Sequence, residues 1–311
     1  MARAPPVILA AMLVAAAGRR ELEPPASPKR TTEPLCPACF ELDGVDPHGN
    51  RTLQAMRWLH LPKSGSTFQN TVFHWACPGL PPRAGYGPRA TGYRFKNLYS
   101  AKRAINKTIC DRDVDMTIPG HPPAVADALD RTVAMFRAPK QRLISAYHNG
   151  KHCDGFQQVD KAPNWKHMSV ADYARHPGIP GCTTRMMLGG KCARAKHVQQ
   201  TFNRHRAAAA VRALAFVGIL ERWRDSICLF HKMHGGLPRD IEFAMTHSTQ
   251  SHRVAVQKPG TLFDAPTPYD ESVLDGVEDP DDEAVYAAAL ETFAAEMRRY
   301  APRCAAERPV P

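Results

Sequence analysis

The sequence predicts an α/β domain with a mainly parallel central sheet flanked by helices, and three observations carry that expectation. Short apolar runs with β-branched and aromatic residues recur at 56–61, 132–136 and 215–218. Each is followed closely by a segment with helical periodicity and its own start and stop signals. At 311 residues the chain is long enough to bury a sizeable core in one large domain.

Taken in order, the first strand covers 56–61 and feeds a helix over 67–76, which Cys77-Pro78-Gly79 stops. The next stretch, to residue 93, is dense in Pro, Gly and Arg and reads as loop. The second strand, Thr132-Val133-Ala134-Met135-Phe136, leads through Arg137-Ala138 to Pro139, which suits the first turn of a helix to residue 147. An irregular excursion over 148–167 follows, then short helices at 169–175 and 182–188, the latter ended by Gly189-Gly190. A basic, Ala-rich helix is expected over 197–213, a buried strand over 215–218 and a helix over 225–234 stopped by Gly235-Gly236. Asp279 caps the last helix, with Pro280 at its first position, Asp281, Asp282 and Glu283 on its positive end, and its run extending to residue 300.

Lys and Arg total 41 against 30 acidic residues, a net charge of +11. That balance suits a polyanionic partner and by itself does not choose among nucleic acid, anionic lipid and acidic polysaccharide. The N-terminus narrows the choice. Arg3 precedes an apolar run over 7–17, then Gly18 and Arg19-Arg20. A membrane span needs about twenty apolar residues, so residues 1–18 read as a signal peptide, with an uncleaved signal anchor as the alternative. Residues 19–50 read as a flexible stem, 51–304 as the domain and 305–311 as a tail. The sequons Asn50-Arg51-Thr52 and Asn106-Lys107-Thr108 and nine cysteines agree with an oxidising secretory lumen. An odd cysteine count leaves at least one thiol free or intermolecular; Cys182 and Cys192 are near enough in sequence to close a small loop. Cys36-Pro37-Ala38-Cys39 lacks the second Cys-x2-Cys of a zinc site, so a disulfide or mixed pairing is expected there and no metal. In such a lumen the partner is a glycan, an acidic one suiting the charge, and not nucleic acid. A membrane enters only through a retained anchor, and the oligomeric state is left open.

Two strand-to-helix turns carry chemistry. The first, Leu61-Pro62-Lys63-Ser64-Gly65-Ser66-Thr67, offers backbone N–H groups, a positive helix end, hydroxyls and a mobile cation to an anion. It lacks the Gly-x4-Gly-Lys-Ser/Thr spacing of a Walker A loop. A plain strand-to-helix turn, with Gly and Ser serving as turn and cap, is the alternative for this run taken alone. In the second turn, Arg137 stands where a parallel strand ends, the edge at which open α/β sheets bind ligands. Two cation-bearing turns in one sheet imply a ligand with two separated anionic ends.

This pair of turns resembles the nucleotide-binding signatures of the Golgi carbohydrate sulfotransferases, whose donor is 3′-phosphoadenosine 5′-phosphosulfate. The first signature, Pro-Lys-x-Gly-Ser/Thr-Thr after an apolar strand, matches Leu61 to Thr67, and the second, Arg-x-Pro-x2-Arg-x2-Ser-x-Tyr, matches Arg137 to Tyr147. The resemblance implies a P-loop-like three-layer fold and a Golgi-lumenal enzyme. It implies that Lys63, Ser64, Gly65, Ser66 and Thr67 hold the 5′-phosphosulfate and that Arg137 and Ser145 hold the 3′-phosphate. Thr184-Arg185-Met186-Met187-Leu188-Gly189-Gly190 and Phe216-Val217-Gly218-Ile219-Leu220-Glu221 look like segments of the uronosyl 2-O-sulfotransferase-like branch. Ala138 stands where the family usually has an acidic residue. The C-terminal Arg-Lys-Gly of the cytosolic enzymes is absent, and Lys258-Pro259-Gly260 reads first as an ordinary turn.

Sulfuryl transfer is like phosphoryl transfer in that positioning and electrostatics carry most of the catalysis. Lys63 is the expected partner of the charge growing on the leaving phosphate oxygen, with ground-state phosphate binding as its alternative role. A hydroxyl acceptor needs a general base, and of fourteen histidines His121, in Pro119-Gly120-His121-Pro122, is the candidate, with a structural loop role as the alternative. Its Gly-His pair also looks like the catalytic-His segment of the 2-O branch. Glu221 and Asp115 are fallbacks, Glu221 reading first as a residue that orders local structure; His60 reads as a packing residue. His148, Lys151, His152, Lys166 and His167 form either an acceptor-binding cluster or a solvated loop. Two other functions fit the pattern less well: a catalytically inactive polyanion-binding protein on the same fold, and an atypical nucleotide kinase.

Overall fold

Strands joined through helical crossovers pair parallel, and this chain pairs them so. The computed structural model of the protein describes residues 55–82, 84–86, 94–95, 110, 112–115, 121–150, 167–193, 198, 200–243 and 267–302. The N-terminal segment and stem, both sequons, Cys36, Cys39, Lys151, His152, Lys166 and Lys258-Pro259-Gly260 lie outside the described residues. The strands are β1 (Ala55–Leu59), β2 (Gly85–Tyr86), β3 (Arg94–Phe95), β4 (Asp113–Asp115), β5 (Thr132–Phe136) and β6 (Phe216–Ile219). Four form an all-parallel sheet in the order β4-β1-β5-β6, and β2 pairs with β3 separately. In chain order the strands of the large sheet therefore run second, first, third, fourth. After β1 the chain goes to one side and returns to the other, which makes the β1/β5 boundary a topological switch point.

The helices are α1 (Gln69–Ala76), α2 (Pro139–His148), α3 (Val170–Arg175), α4 (Cys182–Met187), α5 (Arg204–Arg212), α6 (Trp223–His234) and α7 (Pro280–Tyr300). Every residue of β5 and β6 is buried, β5 as a central strand and β6 at the end of the sheet because α6 and α7 pack against it. A Cβ at Gly218 in β6 would run into the Met135 side chain on β5, so the close approach there needs glycine.

Several boundaries differ from the sequence expectation. β1 ends at Leu59 rather than at 61, because the chain turns at Pro62 and the Ser64 N–H donates to the Leu61 carbonyl at 3.3 Å. α5 starts at Arg204 rather than 197, since the Asn203 side chain caps it, accepting from the His205 and Arg206 N–H groups at 2.9 and 3.1 Å. α6 begins two residues early, after a 3-10 turn at Leu220–Arg222. The edge strand β4 has no apolar pattern to mark it: it is three residues long with acidic residues at both ends, a composition that blunts an edge.

The core centres on Phe68, which is fully buried with its ring 5.7 Å from Trp58, 5.4 Å from Phe216, 5.9 Å from Trp223 and 5.5 Å from Phe230. Burying one such side chain contributes about 1.5–3 kcal/mol. Phe68 follows Thr67 directly, so this cluster anchors the end of the turn after β1. On the other side, α7 packs along α5 and against β6. The Arg142 guanidinium on α2 lies 3.1 Å from Asp282 and 3.7 Å from Asp279 at the start of α7, all three buried. Asp282 also accepts from the Thr183 and Thr184 N–H groups at 3.0 and 2.8 Å, and Asp279 from that of Gly181 at 2.8 Å. The cluster thus staples the N-termini of α4 and α7 to α2. Disulfides join Cys182 to Cys192, the loop anticipated from sequence, and Cys77 to Cys110, which was not anticipated. Cys228 is disulfide-bonded as well.

Candidate functional site

The carboxyl ends of β1 and β5 lie side by side, with Leu59 opposite Ala134, so the residues that follow these strands meet at the switch point. After β1, Lys63 takes a left-handed backbone conformation at φ 65° and Gly65 another at φ 94°. The left-handed region is costly for lysine, and such strain persists where surrounding structure over-determines it. At Gly65 a side chain would be strained by φ and would meet Leu220 Cδ1 and Trp223 Cζ3 at 3.2 Å each. The turn then enters a 3-10 turn at Ser66–Phe68 and continues as α1, so the first N–H groups of this helical run have no intrahelical acceptor. Ser64 is buried, and Ser66 and Thr67 are half-buried.

After β5, the Arg137 guanidinium Nη1 donates to the Lys63 carbonyl at 3.2 Å. The two cation-bearing turns are thus joined directly. Arg137 is buried, and burial works against its charge while Glu221 and Tyr269 favour it. Burial first, and the neighbouring Arg137 second, pull the Lys63 ammonium down to about 8. An anion placed between these cations would cancel their mutual repulsion and offset the cost of desolvation on Lys63.

Glu221 organises this edge from β6. Its Oε1 accepts from the Ala138 N–H at 3.1 Å, and its Oε2 from the Tyr286 hydroxyl on α7 at 3.1 Å. Burial first, then the adjacent carboxylate, push the Tyr286 phenol up, so it stays a donor. Both Glu221 oxygens are therefore engaged in holding the turn after β5, which matches the ordering role over the fallback of general base. The other fallback, Asp115, pairs with Arg57 at 3.2 Å and sits level with that residue, before the end of β1.

His121 comes to the end of β1. Its Nδ1 lies 2.8 Å from the His60 carbonyl, and the two imidazoles are in contact at 4.4 Å between ring centroids. A carbonyl only accepts, so Nδ1 carries the hydrogen and Nε2 is the basic nitrogen of the neutral ring. His121 is 7% exposed, and its placement against His60, which stands three residues before Lys63, is a tertiary fact. His60 is half-buried and also stacks on Trp58 at 6.1 Å, in keeping with packing.

The other residues that carry the resemblance either hold the fold or stand apart from the strand-end group. Ser145 lies nearly two turns into α2 and is buried, and the hydrogen bonds among the described residues do not tie its hydroxyl to the strand-end group. Arg142 belongs to the carboxylate cluster, and the Tyr147 hydroxyl donates to the Met168 carbonyl at 2.8 Å. Arg185 donates to the Gly178 and Pro180 carbonyls, and Thr184 to Asp282. Of the proposed acceptor cluster, His148 stacks on Tyr269 at 5.6 Å and His167 is exposed. Sequence reasoning missed Tyr269 and Gln141, which meet at the turn after β5 and share no motif.

Among the described residues there is no group of three His, Cys, Asp or Glu placed to hold a metal, and no helix long and apolar enough to cross a membrane. Comparison with protein-family models, with curated proteins and with solved structures found no match.

Proposed function

We propose that this chain is a carbohydrate O-sulfotransferase on a P-loop-like three-layer fold, moving a sulfuryl group from 3′-phosphoadenosine 5′-phosphosulfate to a glycan hydroxyl in the Golgi lumen. The observation that carries the proposal is the hydrogen bond from Arg137 to the Lys63 carbonyl at the switch point, which unites two anion-binding turns in one site. The parallel order of the sheet and the packing of α1 with α6, and of α5 with α7, support the three-layer arrangement. The donor set fits the ligand's chemistry: Lys63, backbone N–H groups and hydroxyls of 64–67 for the phosphosulfate, and Arg137 for the terminal phosphate, with Ser145 assigned there by resemblance.

In the proposed reaction the acceptor oxygen forms a bond to sulfur as the bond from sulfur to the leaving phosphate oxygen breaks. Lys63 offsets the charge that grows on that oxygen, a role worth most in a desolvated site. His121 Nε2 takes the proton of the acceptor hydroxyl. The basic surface then favours an acidic glycan.

The test is a reaction of the purified full chain with sulfur-labelled donor and a panel of glycans, products identified by mass, with donor binding followed by calorimetry. Sulfated glycan is the expected product, and His121→Ala is expected to lower turnover by about 10²–10⁴-fold with donor affinity retained. Absence of donor binding sinks the proposal. Competition of bound donor by ATP but not by adenosine 3′,5′-bisphosphate would point to a kinase instead.

A further inference from the structure

Tyr269 is far along the chain from either anion turn, and a single side chain holds its backbone from both sides. Its N–H donates to Gln141 Oε1 at 2.7 Å, and its carbonyl accepts from Gln141 Nε2 at 3.1 Å. Gln141 is in the first turn of α2, and its Nε2 also donates to Glu271 Oε1 at 2.8 Å. The turn after β5 therefore carries Tyr269 with it. The Arg137 guanidinium carbon lies 5.5 Å from the centre of the Tyr269 ring, within the range of a cation–π contact. Tyr269 also favours the charge on Arg137, which places its phenol oxygen on the side of the guanidinium. A guanidinium has donors only, so the phenol oxygen accepts, and its own O–H is a further donor beside the same cation.

We propose that Tyr269 is a specificity-determining member of the Arg137 anion site, where its O–H and the guanidinium together select a phosphate monoester. The inference rests on the reading of Arg137 as the ligand of the donor's 3′-phosphate. A monoester phosphate presents three terminal oxygens and close to two negative charges, enough to engage the guanidinium fork and a phenol donor at once. A free 3′-hydroxyl offers neither. The phenol therefore acts on the difference between 3′-phosphorylated and unphosphorylated nucleotides rather than on nucleotide binding in general. The Lys63 carbonyl fixes Arg137 from one side and Tyr269 from another, so the cation is positioned before the ligand arrives.

Calorimetric titration of the full chain with adenosine 3′,5′-bisphosphate and with adenosine 5′-monophosphate tests this. Wild type is expected to prefer the bisphosphate. Tyr269→Phe keeps the ring and the backbone clamp and removes only the hydroxyl. It should cut that preference about tenfold, the scale of one hydrogen bond to a charged group, with affinity for the monophosphate changed by less than about twofold and thermal midpoint held. A preference that survives in Tyr269→Phe overturns the inference and leaves the sulfotransferase reading standing. Equal losses for both nucleotides overturn it as well, since a merely structural role weakens both alike. A wild type with no preference removes the 3′-phosphate reading of Arg137, and the inference with it.

Discussion

The turns after β1 and β5 occupy equivalent places at one sheet edge, yet they are built in opposite ways. The first is made by its own backbone. Two left-handed residues, Lys63 and Gly65, shape it, and Phe68 anchors its far end in the aromatic core. The second has an extended residue, Ala138, then Pro139 at the head of α2, and its shape depends on side chains from elsewhere. Glu221 holds its N–H, Gln141 and Tyr269 brace its cation, and α7 steadies Glu221 through Tyr286. A local turn of the first kind leaves a motif, whereas a turn of the second kind is written across distant positions. The comparison also separates their sensitivities: backbone changes should break the first turn, and removal of remote side chains the second.

The largest effect should come from the first turn's cation. Lys63→Ala is expected to reduce turnover by about 10²–10³-fold, as loss of one transition-state donor does elsewhere, with thermal stability unchanged or higher because a desolvated ammonium is gone. Retention of wild-type turnover would assign Lys63 to ground-state binding. Gly65→Ala comes next. With φ at 94° and Leu220 and Trp223 in the way, it should cost about 1–3 kcal/mol in denaturant unfolding and abolish donor binding. A neutral Gly65→Ala would mean that the turn relaxes freely, and the contrast drawn above would fail.

Glu221→Ala probes the second turn from a distance. It strands the Ala138 N–H and the Tyr286 hydroxyl, for a cost of about 1–2 kcal/mol in stability and a similar loss in bisphosphate affinity, with the first turn's geometry kept. A smaller effect is expected from pH. The Lys63 ammonium, pulled down to about 8, is charged below that pH and loses its proton above it, so donor affinity should fall up to tenfold, that is by about 1.4 kcal/mol, per pH unit above about 8. Lys63→Arg should flatten that profile. Folding stability moves the other way in this window, because the unfolded chain keeps the proton up to the ordinary lysine value of 10.5.

The smallest effect lies in the scaffold of the second turn. Burial first, and repulsion from Asp282 second, raise the Asp279 carboxyl to about 7, while Arg142 and hydrogen bonds act against the rise. A raised carboxyl contributes stability that is present below its unfolded value of 3.8 and is lost as pH rises through about 7. The thermal midpoint should therefore climb as pH is lowered from about 8 to about 5, and Asp279→Asn, which can still cap α7, should lessen that slope. A slope unaltered by Asp279→Asn would place the titrating group elsewhere.

The three longer strands were legible because their buried positions are nearly all apolar, with Arg57 in β1 the one charged break, and α2 and α7 because a proline or a cap marks their starts. α7 is the clearest case, with Asp279 accepting from the Asp282 N–H as its composition implied. The three-residue β4 was not legible, since Asp113 and Asp115 break any apolar pattern. Of the site, the loop at 63–67 and Arg137 could be singled out from spacing and residue type. Their direct contact, the partners through which Glu221 orders the edge, the roles of Tyr269 and Gln141, and the burial of Arg142 in an ion cluster could not.

Alone, the sequence determined the order of the longer strands and helices, the composition of the turn after β1, the charge of the molecule and the cap of its last helix. These depend on neighbours within a few residues, where propensity and hydrogen bonding act locally. Only the tertiary structure decided that β1 lies between β4 and β5, that Arg137 reaches the carbonyl of Lys63 across 74 positions, and which charged residues face the site rather than one another. Such contacts depend on burial and on chain crossings, which bring together residues that no local pattern relates.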